Sequence, residues 1–112
     1  MIGAPFAGRI FLRRGPTDMR KGINGLCGLV QSVFGREASD GSLFIFIGRR
    51  RNLLKALYWD KDGFALWSKR LERGTFAVSK EGNLEISRAE LALLLEGVTV
   101  QVKKRSPRWL TS

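Results

Sequence analysis

The side chains with the clearest chemistry are cations. Arg49, Arg50 and Arg51 are consecutive, Lys55 follows closely, and Lys69, Arg70 and Arg73 form a second group. A guanidinium presents a planar fork of donors that matches phosphate oxygens, and a lysine adds a compact, mobile point charge. Residues of these types bind anions; they do not by themselves break bonds. The groups that break bonds are scarce. The chain has no histidine and one cysteine, Cys27, so it lacks the commonest general base and metal ligand and can form neither a disulfide nor a thiolate metal site. Asp60 and Asp62 flank a Lys-Asp-Gly turn, where aspartate ordinarily serves the turn itself. A metal-dependent nuclease needs several convergent acids, and no such cluster is evident. Neither a Gly-x-x-x-x-Gly-Lys phosphate loop nor a dinucleotide fingerprint occurs, and no Ser or Thr has a convincing basic partner. The reading is a protein that is not an enzyme and that uses no metal or cofactor.

Three apolar runs must position the cations. Residues 43–47, Leu-Phe-Ile-Phe-Ile, are continuously apolar, as in a strand covered on both faces. The turn that follows carries the three arginines. In residues 53–60, Leu53, Leu57 and Trp59 share a face with Lys55, and Leu54, Ala56 and Tyr58 share the other. Lys61-Asp62-Gly63 then turns the chain into residues 64–71. The simplest arrangement is an antiparallel meander. It gathers Arg49, Arg50, Arg51, Lys55, Lys69, Arg70 and Arg73 at one end of the sheet and leaves Asp60 and Asp62 at the other. Phe44 and Phe46 invite comparison with a sheet that stacks bases, but a continuous apolar run reads first as core.

The rest of the chain supplies the packing layers. Residues 8–13 alternate weakly and suggest a first strand that stops at Gly15-Pro16. Thr17 is placed to cap a helix, with Asp18 near its positive end. Met19, Ile23, Leu26, Cys27, Val30, Val33 and Phe34 recur at three- and four-residue steps, which predicts a core-facing helix ending at Gly35. Gly22, Gly25 and Gly28 are costly inside a helix, and close approach to the sheet would account for them. Residues 75–78 and 84–86 read as short strands joined by turn chemistry at residues 80–83. Ser87-Arg-Ala-Glu90 has the capping-box spacing, and Leu91, Leu94 and Leu95 give the following helix an apolar face that Gly97 ends. Val98, Val100 and Val102 alternate as a possible last strand. The expected organisation is one α+β domain over residues 1–102, an antiparallel β-meander sheet with two packed helices, followed by a basic tail over residues 103–112. That tail holds Lys103, Lys104, Arg105 and Arg108, with Trp109 as the aromatic available to a partner.

At 112 residues the chain is long enough for a core without staples. Twenty Lys and Arg against ten Asp and Glu give a net charge of +10, which points to a polyanionic partner, nucleic acid first. No apolar run reaches membrane-spanning length, and the N-terminus is too short and too broken by Gly and Pro for a signal peptide. A cytoplasmic protein is expected.

Several motifs in order resemble the small second-reading-frame accessory protein of the insertion-sequence-sixty-six family of bacterial transposable elements. They are Thr17-Asp-Met-Arg-Lys-Gly22, Gly25-Leu26, Leu43-Phe44 with Gly48-Arg-Arg50, Lys55 with Tyr58-Trp59-Asp60, Gly63, and Lys69-Arg-Leu-Glu-Arg-Gly74, then Leu91 and Leu94-Leu-Glu-Gly97. Asn24 and Val78-Ser79 depart from the pattern. The resemblance implies an accessory factor required for transposition, acting beside a separate transposase and with no catalytic residues to carry over. Charge geometry, not the resemblance, nominates the DNA-contacting set: Arg49, Arg50, Arg51, Lys55, Lys69, Arg70, Arg73, Lys103, Lys104, Arg105 and Arg108. The alternative is an adaptor that docks on the transposase through the glycine-bearing helix without touching DNA.

Overall fold

The apolar run at residues 43–47 becomes the middle strand of the sheet. In the computed structural model, which describes residues 8–78 and 82–97, five strands form one sheet. They are β1 (Ile10–Thr17), β2 (Leu43–Gly48), β3 (Leu53–Asp60), β4 (Gly63–Arg70) and β5 (Asn83–Ile86), in the order β4-β3-β2-β1-β5. Leu43, Phe44, Ile45, Phe46 and Ile47 are all 0% exposed. Strand periodicity divides them: Leu43, Ile45 and Ile47 face one half of the core, Phe44 and Phe46 the other. The first half is closed by helix α2 (Arg88–Leu95) and by Phe76. The second is closed by helix α1 (Ile23–Leu29) and a π-helical turn, Val30–Phe34, continuous with it. The fold is α+β, with a mostly antiparallel mixed sheet.

The meander forms as the sequence implies. Phe44 pairs with Leu57 and Phe46 with Lys55 across β2 and β3. Leu53 pairs with Arg70 and Asp60 with Gly63 across β3 and β4. The N-terminal third differs. β1 does not stop at Gly15-Pro16 but runs on through Thr17, parallel to β2. The register shifts between Arg13, opposite Phe46, and Pro16, opposite Ile47. That irregularity accommodates a proline, which cannot donate to a ladder. Thr17 is therefore a strand residue and not a helix cap. Helix α1 starts later, from Gly22, with no side-chain cap.

Close approach to the sheet does not explain the helix glycines. A Cβ at Gly22 or Gly28 would meet nothing within 4 Å, and one at Gly25 would meet only the Lys21 side chain. Leu26 and Val30 are buried as expected, while Ile23 is 36% exposed. Phe34 stacks into an aromatic group with Phe11, Phe44 and Phe46. Gly35 ends the π turn at φ +64°, the left-handed geometry of a C-cap.

Residues 75–78 are not a strand. Phe76 is a plug, 1% exposed, whose N–H donates to the Arg51 carbonyl at 2.6 Å. The expected hairpin with residues 84–86 is thus replaced by β5 pairing antiparallel with β1, Ile10 opposite Ile86 and Leu12 opposite Leu84. The Val98, Val100 and Val102 strand and the tail from Lys103 lie outside the described residues.

The capping box at α2 is complete. Glu90 N–H donates to Ser87 Oγ at 3.1 Å, and Ser87 N–H donates to Glu90 Oε1 at 2.7 Å. Leu91, Leu94 and Leu95 are buried beneath it. Replacing Ser87→Ala should cost about 1 kcal/mol, lowering the melting temperature by about 4 °C in thermal circular dichroism.

Candidate nucleic-acid interface

Strand register decides which charges meet. Arg70 and Lys69 lie opposite Leu53 and Leu54, at the end of the sheet where the β2–β3 turn places Arg49, Arg50 and Arg51. Asp60 and Asp62 sit at the other end, at the β3–β4 turn. The cations from separate parts of the chain therefore do come together.

Their roles divide. Arg49, Arg50, Arg70 and Arg73 are exposed. Arg70 Nε lies 3.3 Å from Glu72 Oε2 on the open surface, a pairing that holds it weakly. Arg51, Lys55 and Lys69 instead serve the fold, a correction to the expectation that all seven face a phosphate.

Arg51 is 7% exposed and sits at φ +64°. Its N–H donates to the Gly48 carbonyl at 2.9 Å and closes the turn. Its guanidinium donates through Nη1 to the Arg14 carbonyl at 2.6 Å and through Nη2 to the Val78 carbonyl at 3.4 Å. Burial pushes its pKa below the ordinary arginine value. Lys55 Nζ donates to the Met19 carbonyl at 2.7 Å and the Lys21 carbonyl at 3.1 Å, pinning the loop between β1 and α1 to the sheet. Lys69 Nζ donates to the Leu95 carbonyl, at the C-terminal end of α2, where the helix dipole favours a cation. Lys103, Lys104, Arg105 and Arg108 lie outside the described residues.

A cleft of about 630 Å³ opens at this end, between the β1–α1 loop, the β2–β3 turn and the end of β4. Arg20, Arg49, Arg50 and Arg70 all line it. Arg20 was not expected here, because residues 18–22 read as the first turn of a helix. Gly22, a poor helix former, was the available sign that the helix starts later. As a loop, this stretch turns on the Lys21 N–H donating to the Asp18 carbonyl. The Asp18 carboxylate accepts from Arg20 at Oδ1 from the N–H and Nε, both at 3.0 Å, and at Oδ2 from Nη2 at 2.9 Å. These bonds hold the Asp18 carboxyl well below the usual carboxylate range. The loop crosses the end of β2 closely: a Cβ on Gly48 would lie 2.7 Å from Met19 Cγ, so only a hydrogen fits. Thr17 also lines the cleft. It is 4% exposed, and its hydroxyl has no hydrogen-bond partner among the described residues.

A second cleft, of about 670 Å³, lies beside α1 between Cys27, Arg36, Trp59 and Phe64. Burial pushes the Cys27 thiol up, away from the thiolate a nucleophile needs. Trp59 is turned edge-on to Phe64 at 4.9 Å. No group of three or more Cys, Asp or Glu residues among the described residues could hold a metal ion.

Comparison with known proteins gives two consistent results. The family profile described as IS66 Orf2 like protein matches residues 8–105. A Sinorhizobium fredii protein, uncharacterized protein y4jC, is 38% identical over 109 residues, covering 96% of this chain and 93% of its own. A second from the same organism, uncharacterized protein y4hO, is 41% identical over 92 residues, 80% of each chain. No solved structure gives a significant match.

Proposed function

Starting from the fact that this chain belongs to the IS66 Orf2-like family, accessory proteins of insertion-sequence transposition, we propose that it binds DNA without cleaving it. It acts in the cytoplasm, beside a separate transposase of the same element. One observation carries this reading: arginines far apart in sequence, Arg20, Arg49, Arg50 and Arg70, converge on one cleft at one end of the sheet. The net charge of +10 supports it, because clustered exposed cations recruit phosphates by releasing counterions. The cations sit on turns and strand ends and not along a helix presented to a groove, so contacts go to the backbone and carry little sequence preference. No helix among the described residues is long and apolar enough to cross a membrane.

A mobility-shift titration on element-end and unrelated DNA, with and without transposase, tests the reading. The double variant Arg49→Glu, Arg50→Glu should lose at least about tenfold in affinity at low salt, since each charge-assisted contact is worth about 1.5 kcal/mol or more. Its circular dichroism should be unchanged. Full affinity in the folded double variant would count against DNA binding through this end. A second reading, an adaptor docking on transposase through α1, is favoured by the open faces of Gly22 and Gly28 and by exposed Ile23. Ile23→Glu would then break co-purification with transposase while the arginine variant would not.

A further inference from the structure

The arginine cleft has a shape that duplex DNA does not fill. A duplex displays its phosphates on a broad convex surface, whereas this site is a recess of about 630 Å³, large enough for one nucleotide. Four guanidiniums line it against a single carboxylate, Asp18, both of whose oxygens already accept from Arg20. Thr17 lies among them, more than nine-tenths buried, with a hydroxyl that has no partner among the described residues. Leaving a buried hydroxyl unbonded is unfavourable. A ligand oxygen accepting from it would complete its bonding. Met19 and Leu53 add an apolar wall.

We propose that this cleft binds the terminal phosphate of a DNA strand, a phosphomonoester, together with its end nucleotide. The inference rests on the DNA-binding reading above and names what one part of that surface takes. A monoester carries close to two charges at neutral pH and three acceptor oxygens, whereas an internal diester carries one charge. Arg49, Arg50 and Arg70 surround such a dianion, the Thr17 hydroxyl donates to one of its oxygens, and the sugar and base rest against Met19 and Leu53. Lys55 is a positioning residue: its bonds to the Met19 and Lys21 carbonyls hold the loop that carries Arg20.

The test compares short single-stranded oligonucleotides that differ only in a terminal phosphate or hydroxyl, at the 5′ and at the 3′ end, by fluorescence anisotropy. Covalently closed circular duplex serves as end-free DNA. A phosphorylated end should bind about tenfold tighter at matched salt, and inorganic phosphate should compete the difference away. Thr17→Val keeps the shape and removes only an unpaired hydroxyl, so the protein should stay folded, bind circular duplex as before, and lose most of the end preference. Equal affinity for phosphate and hydroxyl ends, with circular duplex still bound, would overturn the inference and leave the broader reading standing. A preference for phosphate ends without circular-duplex binding would support the inference and remove the broader reading. Binding to neither would overturn both, and a phosphate preference that survives Thr17→Val would overturn the site as drawn.

Discussion

Arg51→Ala should destabilise the protein by about 3 kcal/mol, while Arg49→Ala and Arg50→Ala should each stay within about 0.5 kcal/mol. The three side chains are neighbours with the same formula, and the difference is one of environment. Arg51 is buried and donates to the carbonyls of Arg14 and Val78, while its neighbours are exposed. Truncation removes two charge-assisted bonds, each worth about 1.5 kcal/mol or more, and leaves two carbonyls short of a donor. It also removes the tie between β1, the β2–β3 turn and the segment carrying Phe76. Alanine keeps the cost of a left-handed backbone at φ +64°, about 1 kcal/mol that glycine does not bear. Arg51→Gly should therefore be less damaging than Arg51→Ala by about 1 kcal/mol. Urea midpoints for the four variants decide the matter. Equal midpoints for Arg49→Ala and Arg51→Ala would mean that the buried guanidinium contributes nothing net.

That contrast marks the limit of what the amino-acid sequence discloses. The meander was legible because its signals are local: apolar runs of strand length, separated by turn residues at 48–52 and 61–63. The capping box was legible for the same reason, both partners being three residues apart. What escaped depends on distant partners. Gly15 and Pro16 look like a strand end, and only the parallel neighbour β2 reveals that β1 continues past them through a register shift. Phe76 looks like part of a strand, yet its N–H goes to the Arg51 carbonyl. Within the cation group, nothing local separates Arg51 from Arg50. Lys55 did carry a sign: it shares a strand face with Leu53, Leu57 and Trp59, and a cation on such a face needs internal acceptors. Arg20 was missed because a helix was assumed where a loop stands.

The salt dependence of DNA binding should be steep. If Arg49, Arg50, Arg70 and Arg73 each neutralise one phosphate, the slope of log affinity against log salt from this end alone is about −3.6 on duplex DNA. A fourfold rise in salt then weakens binding by about 150-fold. The double variant Arg49→Glu, Arg50→Glu should flatten the slope by about two units, and removing residues 103–112 by about three to four units if all four cations there engage. Arg51, Lys55 and Lys69 are committed to internal carbonyls and should not contribute separate contacts. Titrations on matched and scrambled DNA at several salt concentrations measure this. A slope near zero, or preference for one sequence that persists at high salt, would point to readout of base edges by another surface.

The parallel pairing of β1 with β2 also sets an order of assembly. A strand cannot join its neighbour in parallel through a tight turn; the chain must first cross over, here by way of α1. During synthesis β1 leaves the ribosome first, but both of its neighbours, β2 and β5, are made later. The meander of β2, β3 and β4 can close as soon as residues 43–70 are available, because each of its pairings is with the next strand. β1 waits for that platform, and its outer edge stays open until β5 arrives near the end of the described chain. Chains that stop before residue 83 would expose an unpaired strand edge, the feature through which incomplete polypeptides stick to one another. The segment translated earliest is thus among the last to be secured.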